Sequence, residues 1–526
     1  MPFSKEASAI VAALWIAAGF CSCSPAGGGA RTPEAKSPRH IRAAIIPQPQ
    51  SLIPREGDVY VEGQFTETLF SNLVQANYLG NLSPELAESW EISPDHREFT
   101  FHLRKNVRFH DGRPFTAADV VFTLEKLIEK AKDKCAEITY IDGYEEFLNK
   151  RSRSVRGIRT LDDHTLRIKL NENFKFFLQF LAAEYAAIVP RDYAGLDEAA
   201  FRKRPIGTGP FRLVRTEAKA IGPNQFLVFK LEKNRDYFAP AGNLETIDIY
   251  SANSAIDPGS KKFFDLLFVF TSEIPEFNDK PDFRVINSSP GILNFLVLNP
   301  SENSHMRERK VRQLVNYGIN REDLVRKIFH NQALPAHSMI PYGLLGNNPY
   351  YRLDYSRAEK IRAELPPGKI QFTIMTVADG ERELVAEFVS RELARFNLEV
   401  KVVSIADRYD YFTNRIYSTN TSIMLGGIPD YPSSYHFISH LLEPGGYYNV
   451  FRFSSPALDS KIRTLPSTST VDEARTLAEI SAALEKDSFY IPLYHNSNFI
   501  AIRERIKSIA FKYGEIVDFA ALEVAE

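Results

Sequence analysis

Cysteine is nearly absent from this chain. It has three in 526 residues; Cys21 and Cys23 stand near the start, and beyond them only Cys135 remains. One cysteine cannot close an internal disulfide, so a disulfide-stapled fold is excluded. A chain of this length does not need one, because it can bury two or three hydrophobic cores. Charge of one sign is also missing. The 64 Lys and Arg and 66 Asp and Glu leave a net charge of −2, which gives no basis for a nucleic-acid partner. Past the N-terminus there is no long apolar run. The strongest, "FFDLLFVF" at 263–270, is strand-length and far short of the roughly 20 residues that cross a bilayer as a helix. Catalytic signatures are missing too: there is no Gly-x-Ser-x-Gly elbow and no cysteine in a nucleophile setting. Gly27-Gly28-Gly29 lacks the strand before it and the helix after it that a phosphate-binding loop needs. These absences point away from an enzyme, and no cofactor is expected.

What is present begins with "MPFSKEASAIVAALWIAAGFCSCS". Lys5 precedes a mostly apolar stretch, Ala7 to Phe20, which suits the core of a signal peptide and is too short for a mature membrane span. A cysteine directly after such a core resembles a bacterial lipoprotein signal, in which the cysteine is lipidated and becomes the new N-terminus. Cys23 follows the small Ser22 and is the expected lipidation site; Cys21 follows the bulky Phe20 and is the alternative. The expected arrangement is therefore a signal over 1–23 and a Pro-, Gly- and Ala-rich tether over 24–40. It places the protein outside the cytoplasm, anchored to a bacterial membrane by lipid.

Residues 99–120, "FTFHLRKNVRFHDGRPFTAADV", bring together His102, His110 and Asp111. Phe99, Phe101 and Leu103 alternate with polar residues, as in a half-buried strand with His102 on the wet face. Val107 and Phe109 continue the alternation, with His110 turned outward. Asp111-Gly112 is a turn dipeptide, and Thr116 with Asp119 reads as the start of a helix carrying Val120, Val121, Leu124, Leu127 and Ile128 on one face. The histidines are read as solvent-face residues, not as a metal site. The polar stretch 131–156 is read as irregular surface.

The run from Leu82 to Lys126, "LSPELAESWEISPDHREFTFHLRKNVRFHDGRPFTAADVVFTLEK", closely resembles the signature region of the bacterial family 5 extracellular solute-binding proteins, the peptide-, nickel- and related ligand-binding subunits of ABC importers. "PIGTGPFRL" (205–213), "RKVRQLVNYGINREDLVRKIF" (309–329, with Asn320 where Asp is usual), "GGIPDYPSSYHFISHLL" (426–442) and "FYIPLYHN" (489–496) resemble further segments of that family in the same order. The resemblance implies an α/β fold of the type 2 periplasmic binding protein class, with two lobes, a hinge cleft and an extra inserted subdomain. Lobe I is expected from 41–77, 188–285 and 488–526, the subdomain from 78–187 and lobe II from 286–487. The implied function is capture of extracytoplasmic peptides by hinge closure and delivery to ABC permease and ATPase subunits, by a monomer.

The same resemblance implies the ligand residues. Asp430 matches the aspartate that pairs with a peptide's α-ammonium, since an ammonium enclosed by closing lobes loses water and needs a carboxylate. Gly427, Ile428 and Tyr431 flank it. Gly427 stands where a Trp is usual, and the missing wall is expected to open space for a different ligand. Asp58, Tyr60, Tyr140 and Tyr494 are further cleft candidates, and Arg415 is a candidate for the ligand carboxylate. The main alternative is a metal or metal chelate. His436 and His440 are four residues apart, hence on one face of a helix, with Glu443 following. A surface adhesion or sensing lipoprotein on the same fold, and an exported hydrolase, are the alternatives from other classes.

Overall fold

The computed structural model describes residues 39–525 except 47, 55–58, 78, 131–135, 254–255, 279, 289–290 and 301–304. Cys21, Cys23, the tether and Asp58 lie outside the described residues.

Two large mixed sheets organise the molecule. In the seven-stranded sheet, His40–Ile45 runs parallel to both Thr246–Ser251 and Leu266–Val269. The antiparallel pair Phe211–Ile221 and Asn224–Lys233 forms one flank, and Phe283–Asn287 and Phe499–Arg503 form the other. In the six-stranded sheet the order is Leu334–Pro335, Tyr490–Asn496, Ile292–Val297, Ser422–Gly427, Ile370–Val377 and Leu398–Ile405. Its central strands "ILNFLV" and "SIMLGG" are buried along most of their length, as expected where elements cover both faces. A smaller four-stranded antiparallel sheet comprises Ala87–Ile92, Glu98–Leu103, Thr165–Lys169 and Ile158–Asp162. Glu98–Leu103 alternates buried and half-buried residues, the pattern of a sheet wet on one face.

The chain crosses between the large sheets twice, after Asn287 and after Asn496. Tyr490–Asn496, expected in lobe I, instead pairs with Ile292–Val297 in the six-stranded sheet. Its residues are almost all buried, and only that sheet offers it a partner on either side. No described helix is long and apolar enough to cross a membrane.

The 99–120 region corrects two readings. Glu98–Leu103 is a strand, but it pairs with Ala87–Ile92 and Thr165–Lys169, not with 107–109. The latter forms its own tight hairpin about Asp111-Gly112, with Phe109 donating to the Arg113 carbonyl at 2.9 Å and Gly112 at φ +88°. His110 does not face solvent. Its Nδ1 accepts the Gly207 N–H at 3.2 Å and its Nε2 donates to the Gly209 carbonyl at 3.1 Å. The helix Ala117–Lys130 buries Val120, Leu124, Leu127 and Ile128. At its start the Asp119 carboxylate accepts from the Thr116 N–H at 2.8 Å and the Arg191 N–H at 2.8 Å. Nor is 131–156 all surface: Ala136–Tyr140 and Tyr144–Leu148 are short helices, and Glu137, Ile138, Ile141, Tyr144 and Val155 are buried.

Candidate functional site

The strand Ser422–Gly427 runs between Ile292–Val297 and Ile370–Val377. Its end carries the chain through Ile428 and Pro429 to Asp430, and the helix Ser434–Leu442 follows. Ser433 caps that helix, accepting from the His436 N–H at 3.3 Å. Asp430 is thus held between a buried strand and a capped helix, beyond a strand end in the middle of a sheet, where open α/β sheets place their ligands.

Asp430 faces a small cavity of about 20 Å³, room for about one water. The cavity is shared with Glu67, Gln75, Glu85, Glu184, Lys512 and Tyr513, which come from other parts of the fold. Four carboxylates therefore stand around one ammonium. Burial works against the charged Lys512, yet Glu67, then Glu85 and Asp518, hold its pKa well above the usual lysine range. Glu85 is pushed up to about 8, chiefly by burial and against the pull of Lys512. Lys512, paired with Glu67, already places one positive charge there. A larger depression, about 410 Å³ between Gly143 and Arg159, includes Arg151, Arg156 and Arg159 and none of the ligand candidates.

Behind Asp430 a polar cluster joins two regions of the fold. The Tyr431 hydroxyl donates to Glu137 Oε1 at 2.8 Å. His436 Nε2 lies 3.5 Å from Asp430 Oδ2 and 3.8 Å from Glu137 Oε1. The His436 and His440 rings stack with centroids 4.1 Å apart. Burial and then His436 lower the pKa of His440. For His436, burial pulls the same way, but Asp430 and then Glu137 outweigh it and its pKa lies above the ordinary value. Nothing in the sequence pointed to Glu137, which sits in a polar run without apolar period. Glu443, the acid expected beside the histidines, is not the one grouped with them; Glu137 is.

Other candidates separate. Tyr140 stacks on Phe174 with centroids 4.5 Å apart, and Phe174 meets Tyr435 of the helix Ser434–Leu442 at 5.9 Å. It belongs to the aromatic contact between the two regions, and burial raises its pKa to about 12. Tyr431 is 1% exposed and also serves that contact. Tyr494 is not in the cleft: it is 1% exposed within the core of the six-stranded sheet, 4.4 Å from the Phe329 ring. Arg415 is exposed and paired with Asp410 at 2.6 Å, so its guanidinium is already engaged away from the cavity. Tyr60 lies in the helix Val59–Leu69. Gly427 does not open space. A Cβ there would overlap the Tyr448 hydroxyl and lie 2.5 Å from its Cζ; Tyr448 fills the volume a large side chain would take. Ile428 abuts the crossing segment, with Cδ1 2.8 Å from where a Gly291 Cβ would stand.

The family model of the bacterial extracellular solute-binding proteins, family 5 Middle, matches residues 81–449. Heme-binding protein A of Haemophilus influenzae is 24% identical over 459 residues, covering 81% of each chain. Di/tripeptide-binding protein 3 of Pseudomonas aeruginosa is 27% identical over 365 residues, 64% of this chain and 66% of that protein. Among solved structures, the DppA periplasmic binding protein of Helicobacter pylori, in complex with the peptide STSA, superposes with a TM-score of 0.75 at 22% identity, covering 93% of this chain and 98% of that one.

Proposed function

The chain belongs to the bacterial extracellular solute-binding proteins of family 5, and on that premise we propose that it captures short peptides outside the cytoplasm, through their α-ammonium, for an ABC importer. The observation that supports this reading is the carboxylate-rich cavity at Asp430, lined by residues from separate parts of the fold. An ammonium leaving water needs a carboxylate in return, and hydrogen bonds to charged groups are the stronger kind. With room for about one water there, a peptide enters only when the lobes part and is held when they close again. The permease and ATPase of an importer, periplasmic placement, and lipidation at Cys23 belong to the same reading. So do a monomeric state and a division into two lobes with an inserted region over 78–187. The haem- and peptide-binding names of the relatives fit one cleft serving different cargoes. A metal chelate is the second reading, favoured by His436, His440 and Glu137. Two of these three, Glu137 and His436, are almost fully buried, which favours the peptide as cargo.

The test is thermal melting with a pool of di- and tripeptides, beside Asp430→Asn. A peptide at about a hundred times its Kd adds roughly 2.7 kcal/mol of stability. The expected result is a rise in Tm that the variant loses. A rise of equal size in the variant sinks the ammonium pairing, and no rise with any peptide sinks peptide cargo.

A further inference from the structure

Glu137 is 1% exposed and His436 is 3% exposed. Glu137 Oε1 accepts the Tyr431 hydroxyl, but its Oε2 is buried with no hydrogen-bond partner. Neither ring nitrogen of His436 has one. An unmet donor or acceptor in the interior costs about 1–3 kcal/mol, and here Glu137 Oε2 and the His436 ring stand side by side in that state, with Asp430 Oδ2 no nearer to His436 Nε2 than 3.5 Å. His440 supplies the complement. Its Nδ1 donates to the His436 carbonyl at 2.9 Å, which fixes the tautomer and leaves Nε2 bare. A backbone carbonyl holding one imidazole nitrogen while the other stays open is the arrangement that orients a metal-ligating histidine.

One ligand atom from each of Glu137, His436 and His440 lies within 4.8 Å of the other two. Metal bonds of about 2.0–2.1 Å to N and O set tetrahedral ligand atoms about 3.4 Å apart, so a small contraction closes the site. Two imidazoles and a carboxylate suit a divalent transition ion such as zinc better than calcium or magnesium, which prefer all-oxygen shells. The ligands come from separate parts of the fold. Glu137 lies in the short helix Ala136–Tyr140, near the four-stranded sheet in sequence; both histidines lie in Ser434–Leu442, just after the six-stranded sheet's central strand. We infer that Glu137, His436 and His440 form a divalent transition-metal site that clamps the 136–140 segment to the helix behind Asp430. The ion is resident and buried, distinct from cargo in the cavity.

The experiment uses the whole chain, stripped with chelator and titrated with Co²⁺ as a coloured stand-in, with no peptide added. The expected result is intense visible d–d absorption saturating at one ion per chain and displaced by Zn²⁺, with Zn²⁺ raising the Tm. His440→Asn and Glu137→Gln lose at least tenfold in affinity. Glu137→Gln is nearly isosteric and decides the matter if the histidine variant does not fold. Absence of intense absorption overturns the inference, as does Co²⁺ binding of native strength in both variants. The readout needs no cargo, so its failure leaves peptide capture standing, and the converse holds.

Discussion

At the scale of the residue, His110 is the clearest case of a side chain whose role is set by distant backbone. Its ring is pinned between the Gly207 N–H and the Gly209 carbonyl, about a hundred positions on in the chain. Burial lowers its pKa from 6.5 to about 4. Between those values the unfolded chain binds a proton here and the folded chain does not, so stability is full above pH 6.5 and falls as pH drops toward 4. The shift corresponds to at most about 3 kcal/mol. His495, also lowered to about 4 by burial and then by His337, works in the same direction. The expected outcome is that urea midpoints measured at pH 7 and pH 4.5 differ less in His110→Gln than in the native protein; equal differences refute it. Alternation correctly put Phe99, Phe101 and Leu103 inside, because period two is a local property of a strand. It placed His110 outside because nothing local reveals Gly207. Glu137 was invisible for the same reason.

At the scale of the element, the strand Ser422–Gly427 and the turn beyond it carry the site. The segment that follows, 426–442, was legible from its resemblance to the family; the strand itself was not read. The consequence of its glycine was not legible. A residue smaller than usual reads in sequence as a missing wall, yet the Tyr448 ring, packed on Phe295 and Phe437, occupies the place. Gly427→Ala is therefore an overpacking change, expected to cost about 1–3 kcal/mol. Removing the obstructing ring in Gly427→Ala/Tyr448→Ala should give a double variant less destabilised than the two single losses added together. A thermodynamic cycle from denaturant melts measures this coupling, and strict additivity rejects the contact as the cause. Asn320 was equally readable: in place of the usual Asp it caps Arg321–Ile328 by accepting from the Asp323 N–H at 2.9 Å, a role either residue fills.

At the scale of the whole molecule, one side chain ties the two crossings together. The Glu515 carboxylate accepts from Gly291 N–H at 3.5 Å on one crossing and from Asn498 N–H at 3.2 Å and Nδ2 at 2.5 Å on the other. Burial pushes its pKa up to about 7. Farther out, the stacked Phe176 and Tyr435 rings and the 2.6 Å pair of Lys175 with Glu473 join the 175–176 segment to the helices Ser434–Leu442 and Thr470–Asp487. Glu515→Ala leaves buried amides without their acceptor, at about 1–3 kcal/mol, and frees the hinge. Small-angle scattering of the variant without ligand should give a larger radius of gyration than the native protein, with peptide restoring most of the difference. An unchanged radius with unchanged melting removes Glu515 as a hinge constraint.

The sequence by itself determined the family, the α/β class and much of the strand and helix cores, because segment order, apolar period and turn dipeptides are local and survive in the linear string. Only the tertiary structure decided which sheet Tyr490–Asn496 joins, that Tyr494 and Arg415 are engaged elsewhere, that Tyr448 fills the space at Gly427, and that Glu137 stands beside His436. Each of these is a contact between residues far apart in the chain. Burial and hydrogen-bond partners there are fixed by how the sheets and the inserted region pack, and no short window of residues contains that information.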